Sequence, residues 1–220
     1  DLHSFPTRRS SDLNAGLHSG MCGLGFAALA TRSHPDEYAG LLRQIDEHVG
    51  RCVTELARAQ ADRYRRAPPP PTAFPAYDVI SGLTGLARYA LERRRADPAL
   101  AATAVRALCE LARPCRVNGI EVPGWWAGHS PFLGPADGGP YATGHLNLGL
   151  AHGIAGPLAL LAVALRDGVA VSGQEAAMVC FAETLLKARG SDAYGAYWPG
   201  CLSLNEYLGD DQRSDRKSVV

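Results

Sequence analysis

Apolar positions recur with a helical period along most of this chain. In the stretch from Asp36 to Arg66, Leu41, Leu42, Ile45, Val49, Val53 and Leu56 fall on one face and charged residues on the other. That period predicts a long amphipathic helix. Pro68-Pro69-Pro70-Pro71 then stops it as a stiff extended linker. Asp97-Pro98 reads as an N-cap followed by proline at the first helical position. It opens a helix expected to reach Arg113 and to bury Leu100, Val105, Leu108 and Leu111. An apolar run ending at Arg166 predicts another helix, and Gln174 to Arg189 a last one, with Gly190 as a left-handed cap. Glu92-Arg93-Arg94-Arg95 reads as a solvated helix end. Residues 114–147 read as one long loop rich in glycine and proline, and no strand pattern stands out.

Three segments share one frame. Ser19-Gly20-Met21-Cys22-Gly23-Leu24, Ser81-Gly82-Leu83-Thr84-Gly85-Leu86 and His152-Gly153-Ile154-Ala155-Gly156-Pro157 each put Gly-x-x-Gly at the start of an apolar helix. The first glycines are 62 and then 71 residues apart. A repeat of that length holds two helices and their loops. The expected fold class is all-α, built of stacked helical hairpins.

Composition narrows the function. The 220 residues carry 22 basic and 22 acidic side chains and are 46% hydrophobic. Residues 1–13 and 214–220 have no apolar period and look like translated sequencing adapter, so the natural domain is expected to span 14–213, cut from a longer gene. Without those ends, which hold four basic and three acidic residues, the balance is 18 basic to 19 acidic. No basic stripe remains, which argues against nucleic acid as a partner. The longest apolar run, Ile154 to Leu165, is too short for a membrane span. The six cysteines form no Cys-x-x-Cys pair, and Cys52, Cys109 and Cys180 are expected to be small buried hydrophobes. That usage suits a reducing, cytoplasmic setting.

The residues that could carry chemistry cluster near the repeat glycines. His152 stands at the mouth of an apolar helix and can exchange a proton near neutral pH, or be a hydrogen-bonded core residue. Asp78, four residues before Gly82, could cap the following helix, orient His152, or do both. His145 reads as a loop residue shaping the mouth. Trp125 and Trp126 could line a groove or close the core under the long loop.

These motifs resemble the lanthionine synthetase C-like family, the lanthipeptide cyclases. The resemblance rests on Tyr77-Asp78-Val79-Ile80-Ser81-Gly82-Leu83-Thr84-Gly85, Pro123-Gly124-Trp125-Trp126, the stretch Gly144-His145 to Gly156-Pro157, and Tyr197-Trp198-Pro199. It covers nearly all of residues 14–208. It implies a double-layered α/α toroid, of which this chain would hold part. It also implies a zinc-bound peptide cysteine thiolate that adds to dehydroalanine or dehydrobutyrine in a dehydrated lanthipeptide precursor, with a cognate dehydratase as a further partner. By resemblance, His152 is the acid–base residue and Asp78 lies beside it. The family's zinc ligands, two cysteines and a histidine in Trp-Cys-Tyr-Gly and Cys-His-Gly elements, are not in this sequence, and Cys201 matches neither element. The expectation is therefore a fragment that neither binds zinc tightly nor cyclises a peptide. Two other readings are a non-catalytic α-toroid that binds a peptide or thiol, and a carbohydrate-active toroid using Asp78 and Asp137.

Overall fold

A computed structural model describes residues 14–132 and 139–209. Asp137 and the two adapter-like ends lie outside the described residues. The described residues form seven α-helices: α1 (Met21–Thr31), α2 (Ala39–Tyr64), α3 (Leu83–Glu92), α4 (Pro98–Cys109), α5 (Ala155–Arg166), α6 (Gln174–Ala188) and α7 (Leu204–Leu208). The first six make three hairpins. α1, α3 and α5 each follow a Gly-x-x-Gly frame, and α2, α4 and α6 pack back on them. α3 lies between α1 and α5 and is buried nearly all round. The described residues form no closed barrel.

The second glycine of each frame allows a close approach. A Cβ on Gly23, Gly85 or Gly156 would lie no farther than 2.6 Å from the carbonyl oxygen of Leu17, Val79 or Leu150, six residues back. Each repeat thus folds its own incoming loop tightly over its helix start, which only glycine permits.

α2 buries Leu42, Ile45, Val49 and Val53, while Leu41 and Leu56 are half-buried. It starts at Ala39 rather than Asp36, because Tyr38 at φ 63° is left-handed. Asp97 caps α4 by accepting from the Leu100 N–H at 2.9 Å. Val105, Leu108 and Leu111 are buried; Leu100 is not fully so. Trp125 and Trp126 are fully buried, Trp125 edge-on to Phe181 at 5.1 Å, so they close the core rather than line a groove.

Five expectations need correcting. The fold is not purely helical: three two-stranded antiparallel ribbons join β1 (Cys115–Val117) to β2 (Ile120–Val122), β3 (Leu146–Asn147) to β6 (Cys201–Leu202), and β4 (Gly190–Asp192) to β5 (Gly195–Tyr197). Residues 114–147 are accordingly not a single loop. Gly190 is not a left-handed cap: α6 ends at Arg189 in extended backbone, and Gly190 is small because the Tyr197 ring lies across it. Arg93 is no solvated end; its guanidinium grips the Asp46 carboxylate at 2.7 to 3.1 Å and joins Tyr89 in tying α3 to α2. Cys52, Cys109 and Cys180 pack against the core but stay partly exposed, whereas Cys22 and Cys115 are fully buried.

Candidate functional site

The site begins in the loop ahead of α3. A short 3-10 turn, Phe74–Ala76, leads into Tyr77 and Asp78. The Asp78 N–H donates to the Phe74 carbonyl at 2.9 Å. Its Oδ1 accepts from the Ser81 N–H at 2.5 Å and from the Ser81 hydroxyl at 3.0 Å. Asp78 therefore caps the turn before the helix, while Gly82 takes the N-cap position itself. The carboxyl group is almost fully enclosed, at 2% exposure.

His152 comes from the next repeat. It sits in the turn between β3 and α5, which Asn147 shapes. The Asn147 Oδ1 accepts from the Gly149 N–H at 3.0 Å, and its carbonyl accepts from the Ile154 N–H at 3.1 Å. Gly153 packs so closely on the Asn147 side chain and the Gly149 amide that no Cβ fits there. The Val79 N–H then donates to the Ala151 carbonyl at 3.0 Å, which fixes one loop beside the other.

That bond brings Asp78 and His152 together. The His152 Nδ1 and the Asp78 Oδ2 form a hydrogen bond. With the carboxylate ionised, which can only accept, Nδ1 is the donor of this bond. Nε2 has no partner among the described residues, and the side chain is 57% exposed. The arrangement is a buried carboxylate holding an exposed imidazole with one ring nitrogen free. Such a nitrogen can take or give a proton at a bound molecule.

The Phe74 ring forms a floor beneath this pair. Its centroid lies 6.3 Å from that of His152, 5.6 Å from His145 and 4.5 Å from His129. His145 is not a mouth residue, because it is fully buried. Its Nδ1–H donates to the His129 carbonyl at 2.7 Å, and Nε2 has no partner among the described residues. Burial pushes its pKa down to about 4, so the ring is neutral near pH 7. The Tyr77 phenol, also buried, is held well above its usual range by desolvation, with Cys201 and Asp78 pushing the same way. A 360 Å³ cleft between α2 and α4, lined by Tyr64, Arg106 and Glu110 among others, includes neither Asp78 nor His152.

Cys201 pairs across the β3–β6 ribbon with Asn147, at the base of the His152 turn. No group of three or more His, Cys, Asp or Glu among the described residues is placed to hold a metal ion. These residues do not by themselves make a zinc site.

Sequence comparison decides the family. The model of the family described as lanthionine synthetase C-like protein matches residues 4–217. The chain belongs to the lanthionine synthetase C-like family. It is 28% identical over 159 residues to the nisin biosynthesis protein NisC of Lactococcus lactis subsp. lactis, a match covering 71% of this chain and 35% of that protein. Its fold resembles that of a nisin cyclase, with a TM-score of 0.74 and 23% identity over 93% of this chain and 48% of the other. The chain thus spans between a third and a half of the length of these relatives.

Three contributors carried little signal in the sequence. Phe74 lies between a proline run and Tyr77, with no period to mark it. Ser81 is noticeable only as a repeat-frame residue. Asn147 has the Asn-x-Gly spacing of an Asx turn, which is its mark.

Proposed function

We propose that this chain carries the acid–base pair of a lanthipeptide cyclase and forms part of its α/α toroid. The supporting observation is the Asp78–His152 hydrogen bond, a buried carboxylate fixing an exposed imidazole. The substrate is a dehydrated precursor peptide with a cysteine thiol and a dehydroalanine or dehydrobutyrine. The thiolate sulfur bonds to the β-carbon of the dehydro residue, and the alkene electron pair moves toward the adjacent carbonyl as an enolate. His152 Nε2 takes the thiol proton and then delivers it to the α-carbon. The net change is S–H plus C=C to C–S plus C–H, with no oxidation or reduction. Asp78 keeps the Nδ1 proton in place and stabilises the imidazolium from which Nε2 donates. Phe74 limits how the ring can tilt. The family's zinc would favour the thiolate form of the cysteine; the described residues do not supply its ligands.

The test is thiol trapping in a full-length cyclase containing this segment. Ring closure removes the peptide's free thiol, so an alkylating reagent no longer adds mass. Loss of ring closure in His152→Ala, with peptide binding retained, supports the proposal. Ring closure at the unaltered rate would refute it and leave a binding module as the reading.

A further inference from the structure

The C-terminal turns of α2 and the proline run that follows them line a second cavity, of about 350 Å³. Leu56, Pro70, Pro71 and Pro75 give it apolar walls, and Gln60, Arg63 and Arg66 give it polar ones. These residues belong to the connection between the first and second repeats, so the cavity lies inside the row and not at either edge. The second repeat holds the connection in place: the Thr72 N–H donates to the Trp126 carbonyl at 2.8 Å.

The cavity is short of negative charge. Arg63 is only 8% exposed, and every acceptor it meets is neutral. Its Nε donates to the Pro70 carbonyl and its Nη2 to the Gly124 carbonyl, both at 2.6 Å. Its Nη1 donates to the Tyr64 hydroxyl at 3.2 Å and to the Gln60 Oε1 at 3.4 Å. The Cys115 thiol beside it is pushed above its ordinary range by burial, so it too is uncharged. These bonds tie the end of α2 to two loops but leave the charge unanswered, and a buried cation without an opposite charge is costly. Arg66 is exposed, and its guanidinium makes no ion pair or hydrogen bond among the described residues. Asp62 is the single carboxylate among the lining residues described, and it is paired with Arg65.

Gln60 is an independent sign. It is 4% exposed, and its Nε2 has no partner although its Oε1 accepts from Arg63. An enclosed amide donor is ordinarily satisfied. Two unanswered guanidinium groups and one unmet donor on a small cavity call for an acceptor that carries negative charge. Guanidinium and amide groups are planar, which matches a carboxylate, and the proline and leucine walls suit a short hydrocarbon body.

We propose that this cavity binds a carboxylate on a short apolar body, either a small organic acid or the end of a peptide. Arg66 grips the carboxylate, the Gln60 amide turns to donate to it, and the Arg63 charge is answered by it. The cavity includes neither Asp78 nor His152, and this reading is independent of the catalytic proposal.

Titration calorimetry of the 220-residue chain tests it, with sodium butyrate, n-butanol and sodium phosphate at one pH and ionic strength. Butyrate is expected to saturate a single site, and butanol and phosphate to give no saturable binding at the same concentrations. Arg66→Gln changes an exposed side chain, so the core is untouched. It should weaken butyrate about tenfold, the worth of one charged contact. Gln60→Met keeps the volume, drops the donor and should weaken butyrate as well. Acetyl-Ala-Val with a free C-terminus distinguishes the two sources: binding tighter than butyrate assigns the site to a peptide end, and binding no tighter assigns it to a free acid. Three results would overturn the proposal. Absence of saturable butyrate binding would leave Arg63 as a structural tie alone. Butanol or phosphate binding as tightly as butyrate would show a cavity that reads only apolar surface or only charge. Butyrate affinity unchanged in Arg66→Gln or in folded Gln60→Met would place the binding elsewhere.

Discussion

The His152 Nδ1 is hydrogen-bonded to Asp78, a residue 74 positions earlier that belongs to the preceding repeat. The candidate site is therefore a property of the repeat junction and not of either hairpin. The backbone bond from Val79 to Ala151 sets the junction's register, and the two side chains flank it. Several consequences can be measured.

Replacing Asp78 by Ala should destabilise the fold. The Ser81 N–H and hydroxyl and the His152 ring would each lose an enclosed acceptor, although Ser81 and His152 are themselves exposed and can turn to water. The loss is that of ordinary hydrogen bonds, about 0.5–1.5 kcal/mol each. A lower urea midpoint at an unchanged slope is the expected result.

Acid should weaken the fold through His145. The folded-state pKa is about 4 and the unfolded value is about 6.5. Between those values the unfolded chain binds the proton and the folded chain does not, so acid favours unfolding. The His145 contribution is complete above about pH 6.5 and falls away toward pH 4, by up to about 3 kcal/mol. Urea midpoints across that range should slope for the unaltered chain and flatten in His145→Phe, whose ring cannot titrate.

The glycines should divide into two classes. Gly85→Ala places a methyl against the Val79 carbonyl and the Leu17 side chain, so a loss of about 1–3 kcal/mol is expected. Gly40, in α2, has nothing within 4 Å of a Cβ. Gly40→Ala should instead stabilise by about 0.5–1 kcal/mol, because alanine is the better helix former. Thermal or urea unfolding of the two variants separates these outcomes.

Thiol labelling should follow burial. Burial pushes the Cys22 thiol up to about 12. Cys22 and Cys115, both enclosed, should resist alkylation at pH 8 in the folded chain, while Cys52 and Cys180 react sooner. All six cysteines should react after unfolding.

Much of this was readable before the structure, because it is written in helical periods and in glycine spacing. The α2 face, the Asp97 cap and the three Gly-x-x-Gly helix starts each depend on neighbours a few residues away. The ribbons escaped for a physical reason. Strands of two or three residues are too short to show a period of two, although Asn118-Gly119, at φ 51° and 81°, carries a hairpin signal that was there to be read. Arg93 looked like a solvated end because its partner, Asp46, is 47 residues away. His145 looked like a mouth residue because nothing local reveals that the rings of Phe74, His129 and Tyr141 gather around it. Asp78 and His152 could be picked out individually and set side by side through the family resemblance; the Val79–Ala151 bond between repeats that brings them together is what spacing does not disclose.

The most direct test of the Asp78–His152 pair is the tautomer of His152, read by long-range proton–nitrogen NMR of the ring in the unaltered chain and in Asp78→Ala. The account predicts that the uncharged form of the ring carries its proton on Nδ1 and leaves Nε2 bare, and that this preference is lost when the carboxylate is removed. A ring protonated on Nε2, or one that Asp78→Ala leaves unchanged, would contradict it.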